Sequence, residues 1–388
     1  MQLPLCVIGI LFSGCSSFNT SVTPRKQQTM PDIHPDIRQA HTLPGSFYTD
    51  PQVFEQSKSG VFARSWQLIA GPENAHGLPF EAWPFYFMDG FLDEPLLLLH
   101  DSAGTARCLS NVCTHRGKIL VEQPGRLEKG VICGYHGRRF DHTGRFVSMP
   151  ETQGMVNFPC AADDLATVSY ARWRQFHFAS LAPAWPLADW VAEMDRKTAF
   201  MPVERFRFAP ERSRDYLVRA HWALYCDNYL EGFHIPFVHK GLAGALDWNA
   251  YRTDCYRWSS CQTGISRGGD HVFDLPVGHE DYGQAVSAYY FWLFPNIMFN
   301  FYPWGLSLNI VRPLRPDLTK VHFRAYIWDE RKLDAGAGAD IDLVEREDEA
   351  VVEQVQIGVR SRFYQRGRFS PTREQGVHHF HRLIADFI

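Results

Sequence analysis

Two short runs carry residues able to hold a metal: Cys113-Thr114-His115-Arg116-Gly117 and Cys133-Gly134-Tyr135-His136-Gly137. Each supplies one Cys and one His and closes on glycine. Two soft thiolates and two imidazoles in this order suit a [2Fe-2S] cluster in which one iron takes Cys113 and Cys133 and the other His115 and His136. Zinc is the rival for a Cys2His2 set, but a zinc finger draws its cysteine pair and its histidine pair from separate hairpin and helix units. Between the runs, Pro124, Gly125 and Gly130 break the chain, and Val131 and Ile132 lead into the second run as a strand. Two loops projecting from a small sheet are therefore expected.

A second constellation spans Asn228-Tyr229-Leu230-Glu231-Gly232-Phe233-His234-Ile235-Pro236-Phe237-Val238-His239. On a helix, Asn228, Glu231 and His234 share a face, while Pro236 must end or kink that helix and re-aim His239. Two imidazoles gathered this way are either metal ligands or satisfied core residues, and a nearby carboxylate shifts the balance. Further on, Ile341, Val344, Asp348, Val351, Val352 and Val355 fall on one helical stripe in which Asp348 is the only acid. Its neighbours Glu345, Glu347 and Glu349 are expected to face solvent. A carboxylate on an apolar face has to be paired or bound to a cation. Asp348 is thus the candidate third ligand beside His234 and His239, a facial set that leaves positions on Fe(II) open for O2 and substrate. A buried salt bridge to an arginine is the alternative.

The elements that must position these groups follow from pattern. Asp50-Pro51 with Val53, Phe54, Ser57 and Val61-Phe62 reads as a capped amphipathic helix. Short apolar runs then predict strands near 66–70, 85–88, 95–100 and 106–112, with a hairpin around Phe140 and Phe146 and a closing strand near 176–181. Ala182 to Pro186 is the expected boundary. The division predicted is residues 1–29 as a disordered leader or mis-assigned start, 30–63 as a helical segment packing on the catalytic part, 64–183 as the cluster domain and 184–388 as the catalytic domain. The run Val377 to His381 reads as a docking helix with Leu383, Ile384 and Phe387 buried, not as a further metal site.

Composition narrows the class. A chain of 388 residues exceeds what one core sustains. A net charge of −4 gives no sign of a nucleic-acid partner. Nine cysteines, two already assigned, argue against a disulfide framework and for a reducing, cytoplasmic location, with Cys255 and Cys261 as free thiols. The apolar stretch Leu3 to Cys15 resembles a lipoprotein signal without its basic start and is too short for a membrane span. No Gly-x-Gly-x-x-Gly dinucleotide fingerprint occurs; Gly264 to Asp270 lacks the spacing. Phe299, Phe301, Tyr302 and Trp304, with Trp222 and Tyr225, could box a cationic head group at about 1–2 kcal/mol per contact, or be plain core.

With both motifs in order, the chain from about Phe47 to Ile388 resembles the terminal oxygenase alpha component of Rieske non-haem iron oxygenases. The resemblance implies an α+β architecture, a small antiparallel all-β Rieske domain joined to a larger domain whose curved antiparallel sheet is flanked by helices, with Phe291–Phe301 and Leu306–Leu314 as central strands. It implies a cluster on Cys113, His115, Cys133 and His136 and iron on His234, His239 and Asp348, with Glu231 and Asn228 completing the catalytic set. It implies a homotrimer in which one subunit's cluster serves the next subunit's iron, fed from NAD(P)H by a separate flavin/iron-sulfur reductase. Glu231 stands where most members carry aspartate and resembles the subgroup acting on choline, betaine and carnitine. Aromatic-ring dioxygenation is the alternative reading. A pure Rieske electron carrier would leave the second half of the chain without a purpose.

Overall fold

The computed structural model describes residues 32–71, 73, 80–239, 247, 250–268, 271–333 and 341–388. The expectation for residues 1–29 lies outside them. Asp50 caps helix α1 (Pro51–Ser57) by accepting from the Gln52 N–H, with Pro51 in the first turn, and the chain winds on as a π-helical turn over Lys58–Phe62. Its apolar face is buried, and Phe62 meets Trp222 edge-on at 4.9 Å. The N-terminal segment is thereby pinned to the helix that opens the second constellation.

The first sheet holds β1 (Gln67–Ala70), β2 (Glu81–Phe87), β3 (Glu94–His100), β4 (Ala106–Ser110) and β5 (Gly125–Arg126), together with β9 (Thr167–Trp173) and β10 (Phe176–Ser180), in the order β1-β10-β9-β4-β3-β2-β5. Beside it lies a three-stranded sheet of β6 (Val131–Ile132), β7 (Arg139–Phe140) and β8 (Phe146–Ser148). Each Cys-His run is a loop closed at its base by strand pairing, Val112 with Ile119 for the first and Ile132 with Arg139 for the second. Cys113 and Cys133 sit in one apolar cluster with Leu97, Leu99, Leu109, Val131 and Phe140. The loops therefore grow out of packed core.

The second sheet is antiparallel throughout: β11 (Arg207–Val218), β12 (Arg252–Cys255), β13 (Ser259–Ile265), β14 (Val286–Leu293), β15 (Ile297–Tyr302), β16 (Gly305–Arg315) and β17 (Leu318–Ile327), ordered β11-β17-β16-β15-β14-β13-β12. Phe291–Phe301 is not one strand. The chain reverses after Leu293, which pairs with Ile297, and Pro295, unable to donate to a ladder, marks the turn. Along β15, Phe299 and Phe301 point to the first sheet, where Phe299 packs on Trp173 and Phe176 at 5.6 and 5.7 Å. Asn300 and Tyr302 fall on the opposite face.

Helix α2 (Leu187–Lys197), after the Pro-rich run 182–186, packs on β9 and β14 on the side of the first sheet, and α3 (Trp222–Tyr229), α4 (Ile235–Val238), α5 (Ile341–Gly358) and α6 (Gln375–Phe387) follow, with α3, α5 and α6 over the opposite face. Helix α3 packs on α5, α6 and β16. The expected single helix through Glu231 is absent: α3 stops at Tyr229, and Pro236 sits in the first turn of α4, where its missing N–H costs nothing. On α5 the buried stripe is Glu345, Val352 and Gln356, while Val355 is 42% exposed, so the face is rotated from the predicted one. Helix α6 buries Leu383 and Ile384, with Phe387 half-buried against Trp185 and Trp258. No helix among the described residues is long and apolar enough to cross a membrane.

A buried polar contact joins the two seven-stranded sheets. Asn296, fully buried, exchanges two hydrogen bonds with Gln67 at 3.0 and 3.2 Å and donates to the Val311 carbonyl at 2.8 Å. Asn296→Ala removes three buried hydrogen bonds and strips Gln67 Oε1 of its Asn296 donor, although Gln67 Nε2 keeps Ser65, so a loss of about 2–3 kcal/mol is expected in urea unfolding. An unchanged midpoint would show that the pair does not join the sheets energetically.

Candidate metal centres and pocket

The two cluster loops share one geometry. In each, the glycine that closes the run has φ +71, a left-handed value that glycine adopts without strain, and its N–H donates back to the cysteine carbonyl, Gly117 to Cys113 at 2.9 Å and Gly137 to Cys133 at 3.0 Å. The cysteines are buried and the histidines exposed, with the His115 and His136 rings 4.8 Å apart. Burial pushes both thiols up, but backbone N–H groups of His115 and Arg116 point at Cys113, and those of Tyr135 and His136 at Cys133. The thiols also lie within hydrogen-bonding reach of each other; the Cys133 thiol is held below its ordinary value and that of Cys113 above it. Facing sulfurs already receiving N–H donors are what thiolate ligands of a cluster require. Asp163 ties the loops together, its carbonyl accepting from the Thr114 hydroxyl at 2.8 Å and its carboxylate from buried Arg138 at 2.7 Å.

In the second constellation, one ligand-capable atom each from His234, His239 and Asp348 lies within 4.8 Å of the others. Asp348 Oδ1 is 2.9 Å from His239 Nε2 and 3.4 Å from His234 Nε2, and it accepts from the Asn228 amide at 2.8 Å. Each imidazole is fixed from behind: His234 Nδ1 meets Glu231 at 2.7 Å, and His239 Nδ1 meets Glu347 at 2.7 Å. Glu231 also accepts from the His234 backbone N–H at 3.0 Å. With Nδ1–H committed to a carboxylate, both Nε2 lone pairs point at a carboxylate oxygen, which is stable only with a cation between them. In the metal-free fold that cation is a proton. Burial pushes the His234 imidazole down, but its bonds to Asp348 and Glu231 outweigh this and raise it to about 9. Asp348 is pushed up by burial and held below its ordinary value by the two imidazoles. The residues fit a ferrous ion bound by two histidines and one carboxylate.

The structure corrects three expectations. Glu345 is not solvated but buried, and Glu347, though partly exposed, holds His239. The arginine salt bridge is not made, because the partners of Asp348 are two histidines and an amide. Of the six aromatics proposed as a box, only Tyr225 and Tyr302 line the cavity of about 120 Å³ beside the site. Trp222, Phe299 and Phe301 are core, and Trp304 stacks against Tyr302 at 5.1 Å. Sequence reasoning missed the polar lining residues Asn300, Ser307 and Asn309, although each sits between apolar neighbours in a strand, a period-two signal of a polar face inside a buried sheet. Tyr229, Tyr251, Tyr290 and Phe323 complete the aromatic lining.

The pattern described as the ring hydroxylating alpha subunit catalytic domain matches residues 205–388, and that of the Rieske [2Fe-2S] domain matches residues 87–159. A chloroplastic choline monooxygenase of Arabidopsis thaliana is 31% identical over 367 residues, covering 90% of this chain and 83% of that protein. This chain is a Rieske non-haem iron oxygenase. The carnitine monooxygenase oxygenase subunit of Escherichia coli K12 is 26% identical to this oxygenase over 363 residues, covering 90% of the chain and 94% of that subunit. A solved quaternary ammonium Rieske monooxygenase, described as giving insights into carnitine oxidation and inter-subunit electron transfer, shares the fold with a TM-score of 0.70 at 22% identity, covering 92% of this chain and 100% of that one.

The proton on the histidine pair gives the oxygenase a pH signature. In the metal-free fold, the His234 contribution to stability is complete below its unfolded value near 6.5 and is lost as pH rises through about 9. Ferrous iron must displace that proton, so affinity measured by anaerobic Fe(II) titration is expected to rise with pH across this window, by about tenfold per unit for each proton displaced. Glu347→Gln is expected to lower that affinity by about 10–100-fold while leaving the cluster's absorbance intact. Equal affinity in variant and parent would remove Glu347 from the site.

Proposed function

We propose that this oxygenase hydroxylates a small molecule bearing a quaternary ammonium head. The observation that carries the reading is the cavity beside His234, His239 and Asp348, lined by Tyr225, Tyr229, Tyr251, Tyr290 and Tyr302. Aromatic faces hold a cation that cannot donate hydrogen bonds, and relatives named for choline and carnitine oxidation support the choice. In this reading His234, His239 and Asp348 hold Fe(II), while Cys113, His115, Cys133 and His136 hold the Rieske cluster. The iron, when bound, supplies open positions at which O2 is activated by electrons delivered one at a time. Glu231 and Glu347 keep the imidazoles oriented with Nε2 forward, Asn228 fixes the Asp348 carboxylate, and the tyrosines orient the substrate and exclude water from the cavity.

Electrons come from NAD(P)H through a separate flavin/iron-sulfur reductase. His115 and His136 are exposed, exposed Ile132 and Tyr135 lie in the same run as His136, and Phe233 and Phe237 beside the iron residues are likewise exposed. These surfaces support an assembly, a homotrimer, in which the cluster of one subunit faces the iron of the next and Glu231 bridges them. The division into residues 64–183 and 184–388 and a cytoplasmic location belong to the same proposal; the free Cys108, Cys160, Cys226, Cys255 and Cys261 support a reducing compartment.

Oxygen uptake and product formation with choline, betaine, carnitine and simple arenes, in the presence of reductase and NAD(P)H, tests the substrate class. Turnover of trimethylammonium compounds is expected. Turnover confined to arenes would replace this reading with aromatic-ring dioxygenation.

A further inference from the structure

Across the cavity face of the second sheet, one rung of cross-strand partners is polar. Gln262 on β13 stands opposite Tyr290 on β14, Tyr290 opposite Asn300 on β15, and Asn300 opposite Ser307 on β16. Asn309, two residues further along β16, shares the face of Ser307. Gln262, Asn300, Ser307 and Asn309 are each 5% exposed or less, and all four line the cavity. A buried amide costs free energy unless both of its ends are bonded. A polar patch in such a place is therefore either closed on itself or completed by a ligand.

The hydrogen bonds decide between the two. Gln262 is satisfied at both ends: Nε2 donates to the Tyr229 carbonyl at 2.7 Å, and Oε1 accepts from the Tyr251 hydroxyl at 3.1 Å. Asn300 is satisfied as well, its Oδ1 accepting from the Tyr229 hydroxyl at 2.7 Å and its Nδ2 donating to Asn309 Oδ1 at 3.3 Å. Asn309 Oδ1 accepts again from the Ser307 hydroxyl at 3.4 Å. Asn309 Nδ2 donates to none of the described residues, and it is not sealed in the packing. On a residue 5% exposed that lines the cavity, the space this group opens onto is the cavity. Two donors at Oδ1 also fix the amide's orientation, since a flipped Asn309 would set its NH2 against that of Asn300. The bonds thus run in one sense, from Tyr229 to Asn300 to Asn309, and end at the cavity wall in a donor.

A bare amide N–H calls for an acceptor. A trimethylammonium head has none, so Asn309 addresses a different part of the ligand from the aromatic faces that hold the cation. Building on the quaternary ammonium reading above, we infer that Asn309 is a specificity-determining residue whose Nδ2 donates to an oxygen of the substrate, hydroxyl or carboxylate, and so selects oxygen-bearing cations over their deoxy counterparts. The test measures dissociation constants of choline, glycine betaine and ethyltrimethylammonium, the deoxy counterpart of choline, by calorimetry on the anaerobic holoenzyme without reductase. Ratios are taken within one preparation, so they do not depend on the folded fraction.

The parent is expected to bind choline or betaine more tightly than ethyltrimethylammonium, and Asn309→Leu, which keeps the side chain's size and removes the donor, to reduce that preference about three- to tenfold by weakening the oxygen-bearing ligand alone. Loss confined to choline identifies the oxygen as a hydroxyl, and loss confined to betaine as a carboxylate. A preference unchanged in Asn309→Leu, or a parent that binds ethyltrimethylammonium as tightly as both others, overturns the role of Asn309 and leaves the substrate class standing. A parent that binds none of the three overturns the substrate class and this inference with it. Should Asn309→Leu fail to fold, Asn309→Ser decides instead, because its hydroxyl still accepts from Asn300 but is too short to place a donor where Nδ2 lies: a reduced preference supports the assignment and an unchanged one refutes it.

Discussion

The structure around the second constellation depends on one electrostatic constraint: the Asp348 carboxylate lies against two imidazole nitrogens whose opposite nitrogens are already taken by Glu231 and Glu347. Three carboxylates around two imidazoles, in a mostly buried space, leave an excess of negative charge that must be met by a cation. A proton can meet it, as the raised His234 imidazole shows, and a bound divalent cation would meet it fully. The surrounding packing holds this arrangement together, since α3 carries Asn228 and α5 carries Glu345, Glu347 and Asp348, and the two helices lie against each other. The adjacent Asp227 is bound in turn by Tyr48 at 2.7 Å and His381 at 2.9 Å, so the N-terminal segment and α6 both clamp α3 from behind.

The cluster loops meet the opposite requirement. Their cysteines take backbone N–H donors in an apolar setting, while the histidine edges stay exposed. Two loops of identical backbone form, rooted in an apolar cluster and tied by Asp163, satisfy both. The exposed imidazoles at their tips are the consequence.

The convergence of these groups was legible because metal ligation restricts residue type and spacing together: the two Cys-His runs do meet, and Asp348, an acid in an apolar stripe, does lie against His234 and His239. The supporting carboxylates were not legible on the same logic. A helix read as a valine stripe places Glu345 and Glu347 off the buried face, yet α5 turns a polar set inward to meet Tyr225 and His239. Partners distant in sequence decided that rotation, and periodicity cannot see them. The pocket was half visible for a similar reason. Alternation along β15 separates Phe299 and Phe301 from Asn300 and Tyr302, but which face meets the first sheet is settled only by Trp173 and Phe176 arriving from elsewhere. No helix runs through Glu231 because α3 already ends at Tyr229, and after the break at Leu230–Gly232 Pro236 serves in the first turn of a new helix rather than as a terminator.

The central claim is that one chain holds a cluster and a separate ferrous ion at the His234, His239 and Asp348 donors. Iron analysis of anaerobically reconstituted protein, beside its Asp348→Ala variant, tests it most directly. The account predicts about three irons per chain in the parent and about two in the variant, with the cluster spectrum unchanged and hydroxylated product lost. A parent that binds only the cluster, or a variant that keeps its third iron and its product, would contradict it.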